Sequence, residues 1–232
     1  MTRQEFESSI RSTREFLQAC EILRTANRLV SLTASYDFRQ LALNAETTYR
    51  TLFLCGMSAR DYNFLLTDYS YLQFTFFETE HYRHAFYPNP FGRTAASAVK
   101  EYGEALERGE ISYEEYAQLL AEEPVEIGVP ILRFEMYRAG YVRLCHPAAH
   151  LHVGMHGENR WPVARELTPR LFTLFVVKSY YGASWATTGH IPLSDHGFDN
   201  KFDETYVREK ERCQLLRYEI FHQHERSQLH IV

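Results

Sequence analysis

Cys145-His146-Pro147-Ala148-Ala149-His150-Leu151-His152-Val153-Gly154-Met155-His156 alternates strictly through its second half. His150, His152, Gly154 and His156 fall on one side, and Leu151, Val153 and Met155 on the other. A period of two belongs to a half-buried strand, so the stretch predicts a sheet with imidazoles on one face and aliphatics in the core. Imidazole titrates near neutral pH and ligates metals, which makes the row a candidate site.

Upstream, Ile131-Leu132-Arg133-Phe134-Glu135-Met136-Tyr137 alternates in the same way. Leu132, Phe134 and Met136 form its apolar set, and Arg133, Glu135 and Tyr137 point the other way. If both strands bury the same face, Glu135 emerges beside His150 or His152. A further strand is expected over Tyr141 to Leu144, which would separate the two by one ladder spacing. Gln73 and Thr75 would join the same polar face from another strand.

Further outward, aromatic and β-branched residues over Tyr62 to Thr67, Ser70 to Glu78 and Tyr82 to Tyr87 predict three strands of an antiparallel meander. Pro88-Asn89-Pro90 ends them, because proline cannot donate to a ladder. Residues 94–107 and 112–123 read as two helices, the second opened by a Ser112/Glu115 capping box. Thr168-Pro169 starts a helix to about Tyr181. Residues 3–30 read as one long amphipathic helix or two with a break, and Tyr49 to Leu54 as a short strand. Gly182 to Asn200 reads as a loop, and about Phe202 to His224 as a long final helix.

The expected architecture is one α+β domain over residues 1–232. A central antiparallel sheet of about six strands is flanked by N- and C-terminal helices. Residues 1–58 would be mainly helical, 60–181 the sheet core, and 182–232 a loop with the last helix.

At 45% apolar and 15% aromatic residues, the chain is rich enough for a sizeable core. A net charge of −5 supplies no global basic field, so any nucleic-acid contact must come from a local cluster. The four cysteines are scattered, with no Cys-x-x-Cys pair, and suit a reducing cytoplasm. No apolar run approaches a bilayer span and no signal peptide is evident, so a cytoplasmic protein is expected, with no membrane partner.

Several motifs carry candidate chemistry. A carboxylate beside a neutral imidazole is a general-base arrangement, and histidine with arginine suits phosphodiester work. Two histidines at i and i+2 with a carboxylate alternatively hold a divalent metal. The competing reading is a hydrogen-bonded histidine row at a sheet surface, with Arg133 paired to Glu135 or a neighbouring acid. His150-x-His152 followed by Glu158 resembles a cupin metal motif with the wrong gap. Arg217 to His222 matches the Arg-x4-His pattern of all-helical ribonucleases, a match that chance produces in a chain with 11 histidines. Gly182-Ala183-Ser184-Trp185 lacks the spacing of a nucleophile elbow. Scattered glycines leave no phosphate loop. His190 and His196 read as surface loop residues.

Three blocks stand in register over residues 60 to 181. The first is Leu72-Gln73-Phe74-Thr75-Phe76, running into Tyr82-Arg83-His84-Ala85-Phe86-Tyr87-Pro88-Asn89-Pro90-Phe91. The second is His146-Pro147-Ala148-Ala149-His150-Leu151-His152-Val153-Gly154. The third is Arg160-Trp161-Pro162 with Leu167-Thr168-Pro169-Arg170-Leu171-Phe172. Together they resemble a bacterial family known only as domain-of-unknown-function family 2290. The resemblance implies no activity; Arg83, His150, His152 and Arg160 match its recurrent polar positions. By analogy with mobile-element and antiviral loci, it favours a nucleic-acid-directed role.

The expected function is a nuclease or phosphodiesterase-like enzyme. His150, His152, Glu135 and Arg160 are the candidate catalytic residues, and Arg83, Tyr87 and Asn89 the candidate substrate-binding ones. Two other expectations stand beside it: a non-catalytic interaction subunit or homodimer, and a cupin-like metal-dependent enzyme acting on a small molecule. The cofactor is left open, a divalent metal being one choice.

Overall fold

The computed structural model describes residues 1–91, 96–124, 129–155, 159–191 and 199–227. His156, Glu158 and His196 lie outside the described residues.

Among the described residues one antiparallel sheet of seven strands forms the centre, with its strands paired in chain order. They are β1 (Leu23–Ala26), β2 (Phe64–Leu66), β3 (Tyr71–Glu78), β4 (His81–Tyr87), β5 (Leu132–Tyr137), β6 (Ala149–Val153) and β7 (Trp161–Pro162). Among the described residues the helices are α1 (Arg3–Ala19), α2 (Tyr36–Leu43), α3 (Tyr49–Ser58), α4 (Ala96–Glu107), α5 (Tyr113–Glu122), α6 (Pro169–Tyr180), α7 (Gly182–Gly189), α8 (Lys201–Arg212) and α9 (Gln223–Ser227). The fold is therefore α+β.

Local chemistry explains most of these elements. A Thr2/Glu5 capping box opens α1, whose Phe6, Ile10, Thr13 and Leu17 recur at helical spacing and are buried. Thr168 caps α6, and Pro169 takes the first turn, where a missing N–H costs nothing. The predicted Ser112/Glu115 box is present at α5.

The sheet has two unlike faces. On one, the cross-strand row Phe74, His84, Phe134, Leu151 is buried beneath α1 and α6, with Phe6, Leu17 and Phe172 in the same core. On the other, Tyr71, Ala85 and Tyr87 are covered by Phe38 of α2, Leu52 and Phe53 of α3, and Tyr116 and Leu120 of α5. The row Thr75, Arg83, Glu135, His150 runs across this second face outside that second core.

Several expectations are corrected. The N-terminal helix stops at Ala19, because Glu21 takes a positive φ of 58° that turns the chain into edge strand β1. Tyr49 to Leu54 is helical, since Thr48 caps it and Leu52, Phe53 and Met57 share a buried face. Tyr141 to Leu144 is not a strand. The N–H groups of Cys145 and His146 both bond the Val142 carbonyl, folding the segment on itself, with Leu144 at φ 63°. Gly182 to Gly189 is α7, held by Trp185 packing on Phe16 and Phe202. The final helix breaks at Cys213, where the Leu216 N–H bonds the Ala164 carbonyl instead.

Candidate functional site

Because residues 138–148 form turns and not a strand, β5 and β6 are direct neighbours. Glu135 is then paired across the ladder with His150, and Arg133 with His152. On the other side of β5, Arg83 pairs with Glu135. Side chains directly opposite on one face lie about 4.5–5.5 Å apart at Cβ, which is why these groups meet.

The two imidazoles converge: their Nε2 atoms lie 3.0 Å apart. Proline's carbonyl fixes the first ring, since His150 Nδ1 lies 2.8 Å from Pro147 O, which can only accept. Glu135 turns Oε2 to His150 Nε2 at 3.9 Å and gives Oε1 to Arg83 at 2.7 Å. His152 Nδ1 is buried with no partner among the described residues.

Burial grades across the cluster. His150 is 0% exposed and His152 8%, whereas the side chains of Glu135 and Arg83 are 15% and 44% exposed. The site therefore meets solvent at its carboxylate and guanidinium end. Burial, opposed by the Pro147 carbonyl and Glu135, pushes the His150 imidazole down to about 4. Burial and the neighbouring His150 push His152 down to about 3. Burial alone would raise the Glu135 carboxyl, but Arg83 and the two imidazoles outweigh it and hold it below the ordinary carboxylate range. At neutral pH the cluster thus offers two neutral imidazoles and one ionised carboxylate.

Three donor atoms, one each from Glu135, His150 and His152, all lie within 4.8 Å of one another. Among the described residues they are the group whose spacing suits a metal ion.

Arg160 is exposed, and its positive charge contributes to lowering both imidazoles. Arg133 is mostly buried and donates to the Met155 carbonyl at 3.1 Å, not to Glu135. Tyr87 is not brought to the cluster: four residues on from Arg83, about 13 Å along the strand, it stacks on Tyr71 in the second core. Asn89 holds a turn, donating to the Asp68 carbonyl and accepting from the Phe91 N–H. Gln73 sits on the expected face and donates to the Asp61 carbonyl, while Thr75 stands opposite Arg83.

Two residues at the site escaped the sequence reading. His81, just outside the strand expected over Tyr82 to Tyr87, belongs to β4, with Nε2 3.8 Å from Glu135 Oε1 and its ring between Phe77 and Tyr137. Its position two before Arg83 on an alternating strand was the available signal. His146 sets its ring edge-on to His150 at 4.9 Å. No local pattern marks it, because the turn after β5 delivers it. Arg217 and His222 lie outside any long helix, in the segment between α8 and α9, where His222 bonds the Tyr218 hydroxyl.

The fold and site define an α+β protein with a histidine–carboxylate–arginine cluster on one sheet face. The chain belongs to the family described as an uncharacterized conserved protein (DUF2290), whose model matches residues 14–232. No curated protein and no solved structure matches it.

Proposed function

We propose that this protein is a hydrolase of phosphodiester bonds, with its active site on the Arg83–Glu135–His150–His152 strip. The observation that carries the reading is the convergence of two imidazoles and a carboxylate, with Arg83 at the solvent-facing end. Neutral imidazoles retain lone pairs for taking a proton from water, which protonated ones lack. Arg83 and Arg160 carry the positive charge that a phosphoryl group needs as charge builds on its oxygens. His146 and His81 border the strip and supply further proton carriers.

The four cysteines are unpaired, which supports the cytoplasmic setting proposed for the enzyme. Among the described residues no helix is long and apolar enough to cross a membrane. A narrower form, a nuclease of a bacterial mobile or antiviral locus, rests on family analogy. Nucleic-acid substrates address it directly.

The test is hydrolysis of bis(p-nitrophenyl) phosphate, cyclic nucleotides, single-stranded DNA and RNA by the wild type and the His150→Ala/His152→Ala variant. Turnover should fall at least about 100-fold in the variant while near-ultraviolet circular dichroism is kept. Unchanged turnover in a folded double variant would remove the assignment.

A second reading, a protein-interaction or homodimer surface, is favoured by exposed Val142, Leu144, Leu215 and Tyr218. These lie on two segments tied together by the Tyr141–Glu225 hydrogen bond. Light scattering across a concentration series addresses it: a monomer at all concentrations removes the homodimer form.

A further inference from the structure

We infer that His150, His152 and Glu135 form a binding site for a single divalent transition-metal ion of the zinc type. The inference rests on the same strip as the proposed hydrolase and names what that strip holds. The imidazole lone pairs would then hold the ion, which would activate water in place of direct proton transfer to a ring.

The hydrogen bonding of His150 decides the tautomer. Its Nδ1 faces a carbonyl oxygen, which accepts and never donates, so Nδ1 carries the proton and Nε2 is bare. A ligating histidine is commonly held in this way, its far N–H pinned by a carbonyl so that the lone pair is aimed at the metal. That bare nitrogen accepts from His152 Nε2–H, 3.0 Å away. An ion held between the rings would take that proton's place, His152 carrying its proton on Nδ1 instead. Two nitrogens bound to one ion at about 2.0–2.1 Å stand roughly 3 Å or slightly more apart, so the observed spacing suits a shared ion.

The third donor is divided between two tasks. Glu135 gives Oε1 to Arg83 and leaves Oε2 facing the imidazole pair at 3.9 Å. Arg83 thus anchors the carboxylate without consuming the oxygen that would ligate. The donors come from rigid, adjacent strands and not from loops: Glu135 from β5, and His150 and His152 from consecutive same-face positions of β6. All three donor atoms fall within 4.8 Å, so small side-chain rotations close the set.

The donor set also sets the selectivity. Two imidazoles and one carboxylate suit zinc, cobalt(II) or iron(II), whereas magnesium and calcium prefer oxygen throughout. Three protein ligands leave at least one coordination position for water or substrate. The two histidines are not equal ligands. His150 is oriented by the Pro147 carbonyl, whereas His152 Nδ1 has no such partner among the described residues.

The experiment is isothermal titration of the chelator-treated 232-residue chain with Zn2+, Co2+ and Mg2+, alongside thermal unfolding and the visible spectrum of the Co2+ form. We expect one Zn2+ per chain, a rise in Tm at saturating Zn2+, and a Co2+ absorption typical of four or five ligands. Mg2+ at the same concentration should leave Tm unchanged. His150→Ala/His152→Ala should lower Zn2+ affinity at least about 100-fold, and Glu135→Gln about tenfold or more. The milder His152→Asn serves if the double variant fails to fold. His222→Ala/His224→Ala should bind as wild type does. No stoichiometric Zn2+ binding, or binding unchanged in folded His150 and His152 variants, overturns the inference. Hydrolysis that is lost in the double variant yet survives chelator treatment overturns the metal site while leaving the hydrolase standing. Zn2+ binding without hydrolysis of any phosphodiester does the reverse.

Discussion

His150 donates Nδ1–H to the Pro147 carbonyl at 2.8 Å, and the lone pair this leaves on Nε2 points at His152 Nε2, 3.0 Å away. One backbone acceptor, three residues upstream, thereby fixes the protonation pattern of the whole cluster. The remaining behaviour of the site follows from it.

Both rings should stay neutral across the physiological range. Their folded values lie near 4 and 3, lowered chiefly by burial, so neither titrates between pH 5 and 8. Nitrogen-15 correlation spectra of metal-free protein should show His150 protonated at Nδ1 throughout that window. An inflection near pH 6.5 for either ring would mean the pocket is open to water.

Arg83→Gln should separate electrostatics from stability. The Arg83 side chain is 44% exposed, so solvent screens its ion pair with Glu135, and the substitution should cost under about 1 kcal/mol in a urea melt. Removing the guanidinium should nevertheless raise the Glu135 carboxyl, because Arg83 is the main force opposing its burial. Carbonyl-detected titration reads that rise. A melt that drops by several kcal/mol would mean that Arg83 is part of the packing.

Acid sensitivity should come in part from His84, which lies outside the site. It is fully buried among Phe6, Phe74, Phe134 and Phe172, donates Nε2–H to the Leu167 carbonyl, and is pushed down by burial to about 4. With the folded value below the unfolded 6.5, the unfolded chain takes up the proton first. Stability is therefore whole above about pH 6.5 and falls through the window to pH 4, by about 3 kcal/mol from this residue. His84→Phe should cost about 1 kcal/mol at pH 7 for the lost hydrogen bond and flatten the acid slope by that larger amount. Urea midpoints at pH 7 and pH 4.5 measure both.

Gly154→Ala should destabilise by about 1 kcal/mol or more, with Gly154→Asn costing less. Gly154 ends β6 at φ 93° while its N–H still bonds the Ile131 carbonyl. The added Cβ would meet no neighbour among the described residues, so the cost there is backbone strain. An alanine variant as stable as wild type would show that the backbone relaxes there freely.

Much of the face assignment was legible in the chain. Alternation in 131–137 and 149–153 placed Arg133 and Glu135 with His150 and His152, and placed Gln73 and Thr75 on the same side. The register bears this out. Capping signals at Ser112 and Thr168 located two helix starts because a cap is local chemistry. Helix α3 was misread because Leu52 and Phe53 serve either period over so short a run. Leu23 lies within the helical stretch expected over residues 3–30, yet it pairs with Leu66 once Glu21 has turned the chain.

The amino-acid order by itself determined which side chains share a face, since strand pleating alternates every residue whatever lies beside it. Only the tertiary structure decided which strands are neighbours. The backbone bonds that fold residues 142–146 upon themselves removed an expected strand, brought β6 against β5, and set Glu135 opposite His150. Pairing across a ladder depends on contacts distant in sequence and on the path of the connecting turn, and neither leaves a periodic signature in the chain.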